Sequence, residues 1–322
     1  MTRAFAPRSR ASFAFSALTL SALALPGTAD LAHAQGYSDP FDLEGRIALG
    51  YAANDRGALD SMAYVSLDAE GRLHFDPDRR VGLGFDVFAL NEFDTDTLDY
   101  YDIYLFYDFG AGEIQLGRSP SAIELFLPGR SLRFGGADQA SLLVEVAGQA
   151  SGLRQISYGN DPALGLSYFG DYGTIEAGLS AHYDTDGDGQ IYALSGLYHL
   201  TDTVQLFAGT EFAVDTGTDL DHRIWMGGRY DDGWFTVHGI LSNGVGFDAD
   251  NTTFELGAEY ALDAIPGLSV GGDITMLNLG GGSETLARVG AEYVGENGLG
   301  LGGHATVFDD TAFWGLEASV NF

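Results

Sequence analysis

From about residue 40 onward, apolar and polar residues alternate with a period of two through one short segment after another. Segment 59–75 puts Leu59, Ala63, Val65, Leu67, Ala69, Leu73 and Phe75 on one face, against Asp60, Tyr64, Ser66, Asp68, Glu70, Arg72 and His74. Ile175, Ala177, Leu179, Ala181 and Tyr183 likewise oppose Glu176, Gly178, Ser180 and His182, and Leu299, Leu301, Ala305 and Val307 oppose Gly300, Gly302, His304 and Thr306. Successive side chains of a strand point to opposite faces, so the pattern predicts strands with one apolar side. Sixteen can be counted, near 41–52, 59–75, 81–90, 98–109, 113–118, 151–168, 174–183, 191–200, 204–214, 222–230, 234–243, 252–262, 268–278, 285–294, 299–308 and 311–322. An even count, with about 18 residues per strand and connection, suits an all-β, antiparallel, 16-stranded transmembrane β-barrel. Asn160-Asp161-Pro162 interrupts 151–168 and leaves 14 and 18 strands open as alternative counts.

The connections are of two kinds, and they alternate. Tight turn signals stand at Asp76-Pro77-Asp78, Gly110-Ala111-Gly112, Asp171-Tyr172-Gly173, Thr201-Asp202-Thr203, Asp231-Asp232-Gly233, Ala264-Ile265-Pro266-Gly267 and Glu296-Asn297-Gly298. Between them fall acidic stretches at 54–57, 91–97, 184–189, 215–221, 247–251 and 280–284. A barrel that crosses a membrane has this asymmetry, with short turns at one rim and longer loops at the other. A soluble sandwich also alternates, but its polar face carries lysine. Here all fifteen basic residues are Arg, and the face opposite the apolar one is rich in Gly, Ser and mixed charge. That face suits a water-filled lumen.

The ends define the compartment. Arg3, Arg8 and Arg10 precede or open an apolar stretch, 11–25, and Ala32-His33-Ala34 closes the segment. These are the regions of a secretory signal peptide, expected over 1–34 with cleavage near Ala34, leaving 35–322 as the barrel. The apolar stretch, at roughly 15 residues, is short for a spanning helix. Beyond residue 34 the chain holds 12 basic and 45 acidic residues, a net charge of −33. Such acidity repels a phosphate backbone and excludes nucleic acid as a partner. No cysteine removes disulfides, thiolate metal sites and Cys nucleophiles. At the far end Ala312, Trp314, Leu316, Ala318, Val320 and Phe322 form one rank of a strand. This terminus resembles the C-terminal signature of bacterial outer-membrane barrels, which the assembly machinery reads. It implies the outer membrane of a Gram-negative bacterium.

One connection breaks the rhythm. Residues 119–150 show no clear alternation, and a loop this long inside a compact fold is usually functional or disordered. Phe109-Gly110-Ala111-Gly112-Glu113-Ile114-Gln115-Leu116-Gly117-Arg118 resembles the turn and fifth strand that precede the constriction loop of the trimeric, 16-stranded general porins of Gram-negative, alphaproteobacterial-like bacteria. Arg133-Phe134-Gly135-Gly136-Ala137-Asp138 loosely resembles that family's Pro-Glu-Phe-Gly-Gly loop tip, without its Pro and Glu. The resemblance implies an inward-folded third loop, a homotrimer in contact with outer-membrane lipid and lipopolysaccharide, and passive diffusion of small hydrophilic solutes with no cofactor required. It also implies a constriction in which loop charges face wall charges and set up a transverse field. The loop contributes Glu124, Asp138 and Glu145, together with Arg130 and Arg133; the wall contributes Arg46, Arg72 and Arg118, with Asp86 and Asp102 also turned inward. The acidic balance predicts cation preference unless the constriction arginines dominate.

Asp184, Asp186, Asp188 and Gln190 match alternate positions of an EF-hand loop, with Gly189 at its sixth position. Ser195 stands where the closing Glu belongs, so the readings are a calcium site or a plain acidic hairpin. His182, His199, His238 and His304 fall on the lumen rank without metal-ligand spacing. Two other classes stay open: a structural or adhesin barrel with a plugged lumen, and a barrel hydrolase. The hydrolase needs Asp/His or Ser/His clustered at one rim, where the acidic pairs are Asp231-Asp232 and Asp309-Asp310.

Overall fold

The computed structural model describes residues 40–54, 62–92, 98–127, 163–185, 189–214, 221–245, 251–279, 282–308 and 311–322. Its strands are β1 (Phe41–Asn54), β2 (Met62–His74), β3 (Val81–Glu92), β4 (Leu98–Asp108), β5 (Gly112–Arg118), β6 (Ala163–Asp171), β7 (Ile175–Asp184) and β8 (Gln190–His199). They continue as β9 (Val204–Val214), β10 (Asp221–Asp231), β11 (Phe235–Val245), β12 (Asn251–Ala261), β13 (Leu268–Leu279), β14 (Ser283–Val294), β15 (Leu299–Phe308) and β16 (Thr311–Asn321). Each pairs antiparallel with the next, and β16 returns to β1, so the sixteen form a closed barrel. Closure leaves no unpaired edge, the condition for strands to cross a bilayer. Among the described residues no helix is long and apolar enough to do so.

The pleat sorts the side chains as the alternation predicts. Leu179, Leu194, Met226, Val289, Leu301 and Leu316 stand exposed on the outer surface, each more than half accessible. Tyr107, Phe109, Tyr172, Trp234, Tyr260 and Tyr293 belt the short-turn rim, while Tyr51, Tyr183, Tyr192 and Trp314 lie toward the other. An apolar band between aromatic girdles is the outer surface of a membrane barrel.

Register turns the other rank inward. Arg46 lies opposite Asp68 and Asn321, Ser167 opposite Ser180, and Asp273 opposite Arg288. The short turns repeat one device: Gly110, Gly173 and Gly233 donate their N–H to Asp108, Asp171 and Asp231 at 2.6, 2.7 and 2.9 Å. Their φ values of 89°, 86° and 87° lie in the left-handed region that glycine adopts at low cost. Asp231 and Asp232, the acidic pair considered for hydrolysis, are engaged in this turn. Asp231 also accepts from Arg229 Nη2 at 2.5 Å, and Asp232 Oδ1 accepts from the N–H of Trp234 and of Phe235 at 3.0 and 2.8 Å. Asp309 and Asp310 lie outside the described residues.

The two backbone donors hold the Asp232 carboxyl below the ordinary carboxylate range. A depressed value means that the carboxylate stabilises the turn fully above the ordinary value of about 3.9, and that this contribution fades as pH falls through the lower folded value. NMR titration of the folded protein in micelles is therefore expected to show the Asp232 midpoint below that of a model peptide. A midpoint at or above it would contradict the bonding described.

The sixth strand is described over Ala163–Asp171, where it pairs with β5 and β7, and the 151–162 part of its sequence reading lies outside the described residues.

Candidate functional site in the barrel lumen

Strand β5 has seven residues. At its penultimate position, Gly117 has φ 135°, and a Cβ there would stand 2.7 Å from Ile103 O. The chain then leaves the ladder and forms a short helix, α1 (Ala122–Phe126). Ser121 caps it by accepting from the Ile123 N–H at 3.1 Å, while Glu124 Oε2 accepts from the Ser121 N–H at 3.0 Å.

The helix lies against the lumen face of β6–β9 and is fastened by three inward serines. Ser167 Oγ donates to Pro120 O at 2.9 Å, Ser180 Oγ accepts from the Ala122 N–H at 2.9 Å, and Ser195 Oγ donates to Ala122 O at 2.5 Å. His182 Nε2 bonds Ser119 O at 2.9 Å. Glycines complete the seat. A Cβ at Gly209 would stand 2.3 Å from Ile123 Cδ1, and one at Gly178 would stand 2.8 Å from Phe126 Cε2. Ile123 thus enters a buried cluster of Ala122, Ala193, Phe207, Trp225 and Ile240. The described part of the third connection, 119–127, therefore runs along the inside of the barrel. Arg130, Arg133, Asp138 and Glu145 lie outside the described residues.

Facing α1 is the wall of β1–β5, and a cavity of about 830 Å³ lies between them. Asp42, Glu44, Glu70, Asp86, Glu113 and Glu124 line it, against one arginine, Arg72. Arg72 is gripped by Glu113 at 2.6 and 3.2 Å, with its guanidinium 4.9 Å from the Phe106 ring centre. Arg46 also faces the lumen, and it is held by Glu317 and by Glu292, the latter at 2.8 Å. Tyr64 OH donates to Glu317 at 3.0 Å. Each of these cations is matched by a carboxylate.

Arg118 sits differently. Its register partner is Ile103, in the outward rank, and its guanidinium lies 4.1 Å from the Tyr101 ring centre and 3.8 Å from Asp102. The structure does not bring it into the cavity lining. Three positions beyond the lumen-facing Gln115, it falls by the pleat on the outward rank with Ile114 and Leu116, which is why it does not join the wall charges.

On the rest of the lumen face, Glu176, Arg229 and Asp231 near the short-turn rim keep a third or more of their side chains accessible, while three charged groups deeper in are buried. Arg223, Glu255 and Arg288 are 0%, 1% and 2% exposed. Glu255 Oε1 bonds His238 Nε2 at 2.7 Å, and Arg288 Nε donates to Asp273 at 2.9 Å. Glu44 and Glu70, by contrast, are exposed. Water-reached charge on the β1–β3 side thus includes these two carboxylates beside Arg72. Arg46, Arg72 and Asp86 stand on the lumen rank, but nothing in the alternation singled out the serines and glycines that seat the helix.

Of the calcium set, Asp186 and Asp188 lie outside the described residues. Asp184 and Gln190 close the hairpin through Asp184 N–H to Gly189 O at 3.0 Å, and Gln190 Oε1 accepts from Tyr192 OH at 2.5 Å. By register Asp184 belongs to the rank of His182 and Gln190 to that of Tyr192, so the two stand on opposite ranks. No cluster of three or more His, Asp or Glu suited to a metal occurs among the described residues.

Solved structures of mutant porins from Rhodopseudomonas blastica are similar to this chain. Two superpose with TM-scores of 0.63 at 16% and 17% identity, and a triple mutant does so with 0.62 at 16%. Each match covers 88% of this chain and 100% of the porin chain. The fold is that of the 16-stranded porins. No family model and no curated protein sequence matches the chain. The porin fold is therefore reached here with few shared residues, through alternation, turn chemistry and closure.

Proposed function

We propose that the protein is an outer-membrane channel through which small hydrophilic solutes and ions diffuse passively, with a preference for cations. The observation that carries this reading is the cavity between α1 and the β1–β5 wall, where six carboxylates stand against one arginine that Glu113 already grips. Fixed negative charge along a narrow, water-filled path concentrates cations and excludes anions. The porin fold supports a path through the lumen, and the apolar outer band supports membrane residence. The reading includes export through the 1–34 leader, assembly as a homotrimer and contact with lipopolysaccharide. Calcium held by the 184–190 loop is part of the same proposal.

Planar-bilayer recording of the purified protein tests it. In a KCl gradient the reversal potential is expected to take the sign of potassium permeation. Absence of conductance steps removes the channel reading, and a chloride-signed potential removes the cation preference.

A further inference from the structure

The cavity of about 830 Å³ combines three kinds of surface and falls within the size range of small-molecule sites. Glu44, Glu70 and Asp86 supply negative charge; Leu125 and Phe169 supply apolar area; Tyr104 supplies an aromatic ring. The remaining contribution is Gln115. Its register partners Phe106 and Ser167 are lumen-facing, it lines the cavity, and it is 2% exposed. Its Nε2 donates to Glu113 Oε1 at 2.7 Å, but among the described residues no donor reaches its Oε1. A buried acceptor left without a donor is a standing cost that an incoming N–H removes.

We propose that this cavity is a binding site for organic cations bearing N–H donors on an apolar body, that is, primary ammonium or guanidinium compounds. The proposal rests on the channel reading above and names the solute class that this part of the lumen retains. Carboxylates attract the charge at long range, and the Tyr104 face accepts a cation at short range. Leu125 and Phe169 take the apolar body. Gln115 Oε1 adds what charge alone does not, a demand for a hydrogen-bond donor. Inorganic cations satisfy the carboxylates and leave the other two surfaces unused.

The test compares two probes of equal charge and closely matched body, benzylammonium and benzyltrimethylammonium, of which the first carries N–H donors. Each is added to the full-length protein conducting KCl in a planar bilayer. Benzylammonium is expected to block the potassium current at a concentration about tenfold or more below that of its trimethyl analogue, the scale of a hydrogen bond to a charged group. Gln115→Leu keeps the volume, removes one acceptor and is expected to narrow that gap to what the carboxylates alone supply; an unchanged gap overturns the part given to Gln115. Glu70→Gln leaves the acceptor and is expected to weaken block by both probes alike. Equal block by the two probes, or no block, in a channel that conducts KCl overturns the amine site and leaves the channel reading standing. A protein that conducts no KCl overturns both.

Discussion

Gly209→Leu is expected to unseat α1 and change single-channel conductance severalfold. The added Cβ would already stand 2.3 Å from Ile123 Cδ1, and the rest of a leucine would claim the space among Phe207, Trp225 and Ile240 where Ile123 sits. Overpacking of a closed site costs about 1–3 kcal/mol. Expelling Ile123 forfeits about 2 kcal/mol of burial, and the Ser180 and Ser195 bonds to Ala122 are worth about 1 kcal/mol each. A helix of five residues has no stability of its own to resist this. The recording should show a broadened conductance distribution with a raised mean, because the chain that narrows the lumen is no longer held to the wall. Adding Ile123→Ala makes room for the leucine and should restore much of the original behaviour, a coupling that a double-mutant cycle measures. If Gly209→Leu conducts as the parent does, the seat described here does not hold the helix.

Neutralising Glu44, Glu70 and Asp86 together, as Glu44→Gln, Glu70→Gln and Asp86→Asn, should abolish most of the cation preference. At an effective dielectric of 20 and about 8 Å, one carboxylate is worth about 2 kcal/mol to a passing monovalent cation before screening. A tenfold permeability ratio corresponds to about 1.4 kcal/mol, so the loss of three such groups outweighs it. The change should be large at 0.1 M salt and small at 1 M, where the screening length shrinks from about 10 to about 3 Å. Acidifying the parent channel until its carboxylates are protonated should move selectivity in the same direction. A triple variant with the parent's reversal potential at low salt would mean that selectivity is set elsewhere in the lumen.

Much of this barrel was legible in one dimension because its information is local. A two-residue period decides which side of the wall Leu179 and Ser180 occupy, whatever the rest of the chain does. Asp171-Tyr172-Gly173 makes its own turn through its own side chain and glycine. The count of sixteen followed from repeating those two readings. The site depends on encounters that no local pattern encodes. Arg46 meets Glu317 from 271 positions away, and Arg72 meets Glu113 from 41. Those partners reduce the arginines from a basic wall to matched pairs. Ser167, Ser180 and Ser195 looked like ordinary small lumen residues until the chain after Gly117 was laid across them.

The joint between β1 and β16 also has a consequence in time. A strand pair such as β7–β8 can zip as soon as its hairpin emerges, whereas β1 must wait for β16. Until then both flanks of the growing sheet offer open backbone to any neighbour, the condition under which chains clump instead of folding. Waiting for so distant a partner also makes the final step slow, since long-range pairing must be searched for before it is rewarded. Its yield is therefore expected to fall with any change that lengthens the time before β1 and β16 meet, since the edges stay open until then.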